Sequence, residues 1–314
     1  MTPLALGIGL ATFLYPEFAG EHVALFTFAL FVGTAISVTA FPVLAGILKE
    51  RRLLGTDLGA MAISCAAIDD ISAWTLLAVL SATARSSQSW GHLAQSLFWL
   101  LVFIVVMLFP IRRAASLLEN LYQKRGGGIG FFCTLILIML LSSWTTERLG
   151  VHALFGAFIA GLIMPKEKRL VEETIGKIET LTLAILLPLF FALTGLWTRI
   201  DLLTGVHAWG YAIAIIGVAI VGKVAGATFP ARFTGMKWRD SLVLGVLLNT
   251  RGLVELVVLN TGLELGILSP TMFTMMVVMA LVTTFMTTPI VSALKMESEP
   301  EQFVTPYLEA TGSD

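Results

Sequence analysis

Ser64-Cys65-Ala66-Ala67-Ile68-Asp69-Asp70-Ile71-Ser72-Ala73-Trp74 places two adjacent carboxylates near the middle of an apolar run at 58–83. On a helix of 3.6 residues per turn, neighbouring side chains point about 100° apart, so the two acids face different surroundings. One can line an aqueous cavity while the other meets a partner inside the protein. A charged side chain at bilayer depth costs at least ~2.5 kcal/mol even on a lenient insertion scale, so acids placed there point to function. Burial and mutual repulsion disfavour holding both as anions, and a carboxylate in that position can bind either a proton or a cation.

The rest of the chain places this segment in lipid. Of 314 residues, 57% are hydrophobic and 13% charged, against roughly 25% charged in a soluble domain. Candidate spans fall near 3–15, 23–48, 58–83, 91–110, 129–147, 150–164, 180–197, 206–230, 240–262 and 270–294, each bounded by charges, Gly or Pro. The expectation is an all-α membrane protein with about ten transmembrane helices. Pro3 to Tyr15 lacks the basic region and cleavage site of a signal peptide and reads as a short span, which suggests a shortened amino terminus.

Lys and Arg test this division. Lys49, Arg51, Arg52, Arg112, Arg113, Lys124, Arg125, Lys166, Lys168, Arg169, Lys177, Arg232, Lys237, Arg239 and Lys295 fall on one face, and only Arg85, Arg148 and Arg199 on the other. Fifteen against three orients both termini to the cytoplasmic side, as in a bacterial inner membrane. The two remaining basic residues, Lys223 and Arg251, lie inside apolar runs, and Glu255 follows Arg251 by one helical turn. Lys223 lies too deep to snorkel easily, and an Asp is the simpler partner. If Asp69 pairs with Lys223, a cation that breaks the pair could displace a proton.

Two spans are interrupted. The second carries Thr34-Ala35-Ile36-Ser37-Val38-Thr39-Ala40-Phe41-Pro42 and the ninth Asn249-Thr250-Arg251-Gly252. Disrupted helices expose carbonyls and half-helix ends, tolerated at membrane depth only where protein or a watery cavity covers them. Arg251 and nearby acids could compensate the half-helix dipoles. Spans one to three and eight to ten thus form two triplets, each with a broken middle helix. Three is odd, so the triplets run in opposite senses as inverted repeats.

Other chemistry is not indicated. His22, His92, His152 and His207 are scattered, so no metal site is expected beyond a transported cation, and no cofactor. Cys65 and Cys133 lie in apolar runs and suggest no disulfide. Gly126-Gly127-Gly128 lacks the Lys and Ser/Thr of a phosphate loop and reads as a hinge. The charged segment 165–178 reads as an interfacial helix or a solvated connector, and 295–314 as a short polar cytoplasmic tail. No nucleic-acid surface is present. An intramembrane aspartyl protease needs acids converging from separate helices, whereas Asp69 and Asp70 diverge on one.

Ser37-Val38-Thr39-Ala40-Phe41-Pro42-Val43-Leu44-Ala45, Ala67-Ile68-Asp69-Asp70-Ile71-Ser72-Ala73-Trp74, Asn249-Thr250-Arg251-Gly252-Leu253-Val254-Glu255-Leu256 and Thr283-Thr284-Phe285-Met286-Thr287-Thr288-Pro289 together resemble one family. It is the second monovalent cation/proton antiporter family, which includes bacterial sodium/proton and potassium/proton exchangers and plant cation/proton exchangers. The resemblance implies a sodium/proton antiporter-like fold and alternating-access exchange of Na+ or K+ for protons. It also implies a homodimer in the full-length form, with a core (1–83 and 206–294) moving like an elevator against scaffold and linking helices (91–197). Asp70 matches the ion- and proton-binding carboxylate, Asp69 the first acid of the paired motif, and Lys223 the pairing lysine. Ser37 and Thr39 fall in the first crossover, and Asn249, Thr250, Arg251 and Gly252 in the second. Members usually carry two or three further amino-terminal helices, and many a long cytoplasmic regulatory domain. A potassium efflux channel-like system or a transport-inactive sensor on the same fold is the alternative, although no repeated TVGYG-like filter loop is present.

Overall fold

A computed structural model describes residues 1–21, 23–85, 90–115, 129–164, 172, 176 and 178–294. The expectations for His22, for Gly126 to Gly128, for most of 165–178 and for the tail 295–314 lie outside the described residues.

The described chain is helical, with a single isolated bridge between Ala19 and Leu268. The helices are α1 (Thr2–Phe18), α2 (Leu25–Ser37), α3 (Phe41–Glu50), α4 (Asp57–Arg85), α5 (Trp90–Val106), α6 (Ile129–Arg148), α7 (Ala153–Ile163), α8 (Leu187–Trp197), α9 (Gly205–Phe233), α10 (Trp238–Leu248), α11 (Leu253–Glu264) and α12 (Pro270–Ala293). A π-turn continues α5 over Met107–Ile111, where Pro110 lacks a donor, and another leads into α8 over Thr182–Leu186.

By length and composition, seven of these segments can cross a membrane, or eight if the pair Trp238–Leu248 and Leu253–Glu264, bent by 43°, counts as one. The two other candidate spans are helices too, but shorter. The first runs from Thr2 to Phe18 for 17 residues, past Pro16, whose missing N–H removes a single bond in the last turn. The sixth is reduced to 11 residues, Ala153–Ile163. Its start is delayed because Gly150 adopts a positive φ of 82° and the His152 imidazole accepts from the Leu154 N–H as an N-cap.

Both expected interruptions are present. Pro42, in the first turn of α3, has no N–H to offer the Val38 carbonyl, and Val38 and Ala40 are extended. Asn249 ends α10, and Gly252 is extended before α11. At Gly252 the reason for glycine is close approach: a Cβ there would lie 2.8 Å from Val43 Cγ2 and 3.2 Å from Ala40 Cβ.

The apolar core is divided in two across these breaks. One cluster holds Leu14, Phe28, Phe31, Ile36, Leu77, Leu80, Ala219, Leu256, Phe273 and Met276. The other holds Leu44, Leu48, Leu58, Ala62, Ala66, Ala231, Leu244, Leu248 and Val291. Along α4 the change of cluster falls between Ala66 and Leu77, around Asp69 and Asp70. On α9 it falls between Ala219 and Ala231, around Lys223; the broken helices change at Val38–Ala40 and Asn249–Glu255. The polar groups named from sequence therefore share one waist between two apolar ends. A third cluster packs Leu100, Phe103 and Met107 of α5 and its π-turn with Val151, Phe155 and Ile159, and among the described residues it meets α4 at Ala78 and Trp74. Trp74 stacks on Phe158 of α7 at 5.8 Å.

Candidate ion site at the helix crossing

Lys223, 5% exposed, is held on α9 with its ammonium at the waist. Its Nζ donates to Asp69 Oδ2 at 2.6 Å and to Thr39 Oγ1 at 2.6 Å. Thr39 Oγ1 lies in turn 2.6 Å from Asp69 Oδ2 and 3.1 Å from the Leu248 carbonyl. A hydroxyl carries one proton, so Thr39 donates to one of those acceptors at a time while accepting from Lys223. α4, α9 and both broken helices thus meet at one hydroxyl. A cavity of about 340 Å³ reaches Asp69 and Lys223, lined also by Cys65, Ile68 and Leu248.

Asp70 behaves differently, as its place on the helix requires. It is half-buried, and its Oδ1 is shut off from solvent without a hydrogen-bond partner. The adjacent carboxylates are therefore divided: Asp69 answers Lys223 and Thr39, and Asp70 has an unoccupied acceptor.

Arg251 joins the two breaks. Its side chain is fully buried; Nη1 donates to the Ala35 carbonyl at 2.9 Å and Nη2 to the Ile36 carbonyl at 2.5 Å. Those carbonyls belong to the last turn of α2, where helical partners run out and a cation opposes the negative end of the helix dipole. Nη1 also meets Glu255 Oε1 at 3.3 Å, one turn into α11, so the guanidinium ties the end of one half-helix to the start of another. The Ala40 N–H donates to the Thr250 carbonyl at 3.0 Å, pairing the broken backbones directly.

The remaining sequence candidates are more local. Thr250 Oγ1 donates to the Leu247 carbonyl and Ser37 Oγ to the Thr34 carbonyl, each within its own helix turn. Asn249 is buried at the end of α10 with Oδ1 unpartnered. Sequence reasoning gave no role to Thr284 of α12. Its hydroxyl accepts from the Arg251 N–H at 2.8 Å and donates to the Arg251 carbonyl at 3.0 Å, satisfying both backbone groups of the broken turn. The one available signal was a repeated Thr-Thr pair, Thr283-Thr284 and Thr287-Thr288, in an apolar span.

An ion pair inside an apolar helical bundle, its lysine buried and its carboxylate partly exposed, shared by two broken helices and flanked by a second carboxylate, is chemistry for moving charge. The family model described as sodium/hydrogen exchanger, transmembrane, matches residues 2–294. The chain belongs to that family. Among exchangers, it is 40% identical over 291 residues to a Synechocystis protein named Na(+)/H(+) antiporter NhaS4, with 92% of this chain and 71% of that protein covered. Identity is 38% to Cation/H(+) antiporter 17 of Arabidopsis thaliana and 35% to K(+)/H(+) antiporter 1 of Saccharomyces cerevisiae. The chain spans 36% of the plant protein's length and 35% of the yeast one's. Family and apolar helices together make it an integral, multi-pass membrane protein of a transporter family rather than an enzyme. The motif resemblance drawn from the Asp69-Asp70 and crossover segments agrees with this.

Proposed function

We propose that this exchanger carries a monovalent cation, Na+ or K+, against protons by alternating access, with Asp70 and Asp69 as the carboxylates that cation and proton share. The observation that carries the reading is the division of the pair: Lys223 neutralises Asp69 at 2.6 Å, while Asp70 keeps a buried oxygen without a partner. A cation entering between the carboxylates competes with Lys223 for Asp69 and with a proton for Asp70. Loading therefore releases positive charge from the site, and unloading restores it. Thr39 holds Asp69 and Lys223 in register, and Asn249, Thr250, Arg251 and Glu255 maintain the crossing, with Ser37 behind it. The relatives' names, which include both Na(+)/H(+) and K(+)/H(+) antiporters, support a monovalent cation as cargo.

The finer organisation belongs to the same proposal. Of ten spans, six form two inverted triplets, α1 to α4 and α9 to α12, each with a broken middle helix. The core is 1–83 with 206–294, and the scaffold is 91–197. The separate apolar cluster of α5 and α7 supports that division. The protein works as a homodimer in its full-length form, in a bacterial inner membrane, with both termini cytoplasmic, as the fifteen-to-three split of Lys and Arg supports.

The test is reconstitution in liposomes loaded with a pH-reporting dye, followed by external Na+ or K+. Wild type is expected to give a cation-triggered pH change that Asp70→Asn, inserted and folded, does not. Wild-type exchange by Asp70→Asn would overturn the assignment.

A further inference from the structure

On the outer face of α9, away from the ion pair, a groove of about 870 Å³ runs between α9, α10 and the end of α12. Its walls are apolar, including Val221, Ala225, Phe229 and Leu242, and its mouth is formed by Trp238 and Arg239. Val221 and Phe229 are 59% and 52% exposed. In a multi-pass membrane protein, such side chains on the bundle's outer face meet acyl chains.

The polar groups all gather at one end. Gly235, with φ of 99°, closes a tight turn in which the Met236 N–H reaches the Ala231 carbonyl, so α10 begins only a few residues after α9 ends. Three cations, Arg232, Lys237 and Arg239, flank that turn in sequence. Arg232 lies over the Trp238 ring at 5.6 Å and donates to the Met236 carbonyl at 3.0 Å. Lys237 stands at the N-cap position of α10, and Arg239 Nε donates to the Leu294 carbonyl at 2.8 Å, fixing its position at the mouth. Over residues 232–240 the sequence carries Arg232, Lys237 and Arg239 against Asp240, three basic residues and one acid. The amino end of α10 adds its own partial positive charge. Trp238, 58% exposed and in edge contact with Phe229, is placed as interfacial tryptophans are, between headgroups and chains.

We propose that this groove is a binding site for an anionic phospholipid, with an acyl chain along Val221, Ala225 and Phe229 and the phosphate among Arg232, Lys237 and Arg239. An amphiphile with one anionic end fits a groove whose walls, Thr228 apart, are apolar and whose one mouth is cationic. The chain's own tail, which begins just beyond Leu294 and carries Glu297, Glu299 and Glu301, is the rival occupant. It offers the charge, but its larger apolar residues Phe303, Val304, Tyr307 and Leu308 come only after those acids and Pro300. This assignment does not depend on the transport reading, because its readout is binding.

The full chain, purified in mild detergent, is mixed with equal amounts of phosphatidylglycerol and phosphatidylcholine, and bound lipid is read by native mass spectrometry. Each surface cation adds about 1 kcal/mol toward anionic lipid, so wild type is expected to prefer phosphatidylglycerol about tenfold or more. Arg232→Gln/Arg239→Gln is expected to lose the preference, and Ala225→Phe to lose bound lipid of both kinds. Arg148→Gln, at the far end of α6, is expected to behave as wild type. The charge variant alters exposed side chains and decides the question even if the groove-filling variant fails to fold. Equal retention of the two lipids by wild type, or a preference surviving the charge changes, would overturn the proposal. So would wild type holding no lipid, which means another occupant such as the tail, or displacement of phosphatidylglycerol by inorganic phosphate, which means a free-anion site.

Discussion

Replacing Arg251 with Met removes the side chain that ties the last turn of α2 to the first turn of α11. Three hydrogen bonds go with it, to the Ala35 carbonyl, the Ile36 carbonyl and Glu255. Hydrogen bonds inside membrane proteins average about 0.6 kcal/mol and reach about 1.7, so three contribute about 2–5 kcal/mol. Orphaning one member of a buried ion pair costs about 3–5 kcal/mol in its own right. Both members of this pair are fully buried, so solvent does not soften that cost. The two contributions overlap at the Glu255 bond, and a loss of about 4 kcal/mol is the working figure. At roughly 2–4 °C per kcal/mol, the unfolding midpoint in detergent falls by about 8–16 °C. Arg251→Met/Glu255→Gln separates the parts, since it removes the orphaned carboxylate and leaves two uncapped carbonyls. It is expected to recover about half of the loss. Thermal unfolding followed by tryptophan fluorescence on wild type, single and double variants decides the matter. A single variant within a degree or two of wild type would refute the reasoning, as would a double variant no more stable than the single.

Thr39→Val keeps the shape of the crossing but removes the hydroxyl shared by Lys223, Asp69 and Leu248; losing about 1 kcal/mol of hydrogen bonding at the site is expected to raise the KM for the cation about fivefold, and an unchanged KM would place Thr39 outside the site. Competition between proton and cation predicts that KM for the cation rises as pH falls, by up to about tenfold per unit, with maximal rate unchanged; a pH-independent KM in proteoliposomes would contradict shared carboxylates. Gly252→Val puts a branched side chain where Val43 and Ala40 already approach, and about 1–3 kcal/mol of overpacking is expected as a lower unfolding midpoint; wild-type stability would show that the breaks do not pack so closely.

The intramembrane charges were legible in the sequence because their cost in lipid makes them conspicuous. Asp69, Asp70, Lys223, Arg251 and Glu255 stand out from apolar runs with no alignment needed. Both helix breaks were legible too, through Pro42 and the Asn249-Thr250-Arg251-Gly252 segment. What hydropathy could not convey was direction. Nothing in Thr39 or Ser37 separates a hydroxyl that reaches Lys223 and Asp69 from one that bonds back to Thr34, because both are common for Ser and Thr in helices. Thr284 stood in a quoted motif, but its role was hidden for the same reason, since it depends on a backbone break 33 residues away. Span lengths were the other weak point. The short α7 follows from the φ of Gly150 and the capping by His152, neither of which alters an apolar window.

The arrangement at the waist also suggests how an ion could influence the helices around it. Intact helices satisfy their own backbone groups, so a site built only on them could fill and empty without disturbing the fold. Here the breaks leave carbonyls that side chains must satisfy. Ala35 and Ile36 depend on Arg251, and the Leu248 carbonyl competes with Asp69 for the single proton of Thr39. While Asp69 is an anion paired with Lys223, it is the stronger acceptor for that proton. Once Asp69 is protonated, or its charge is taken up by a cation, its pull weakens and the Leu248 carbonyl gains the bond. Occupancy of the carboxylates then alters a contact between the first break and the end of α10. If the carboxylates carry the ions as proposed, this wiring gives two hydrogen-bonded states that differ in the joint between the broken helices, which alternating exposure of the site would require.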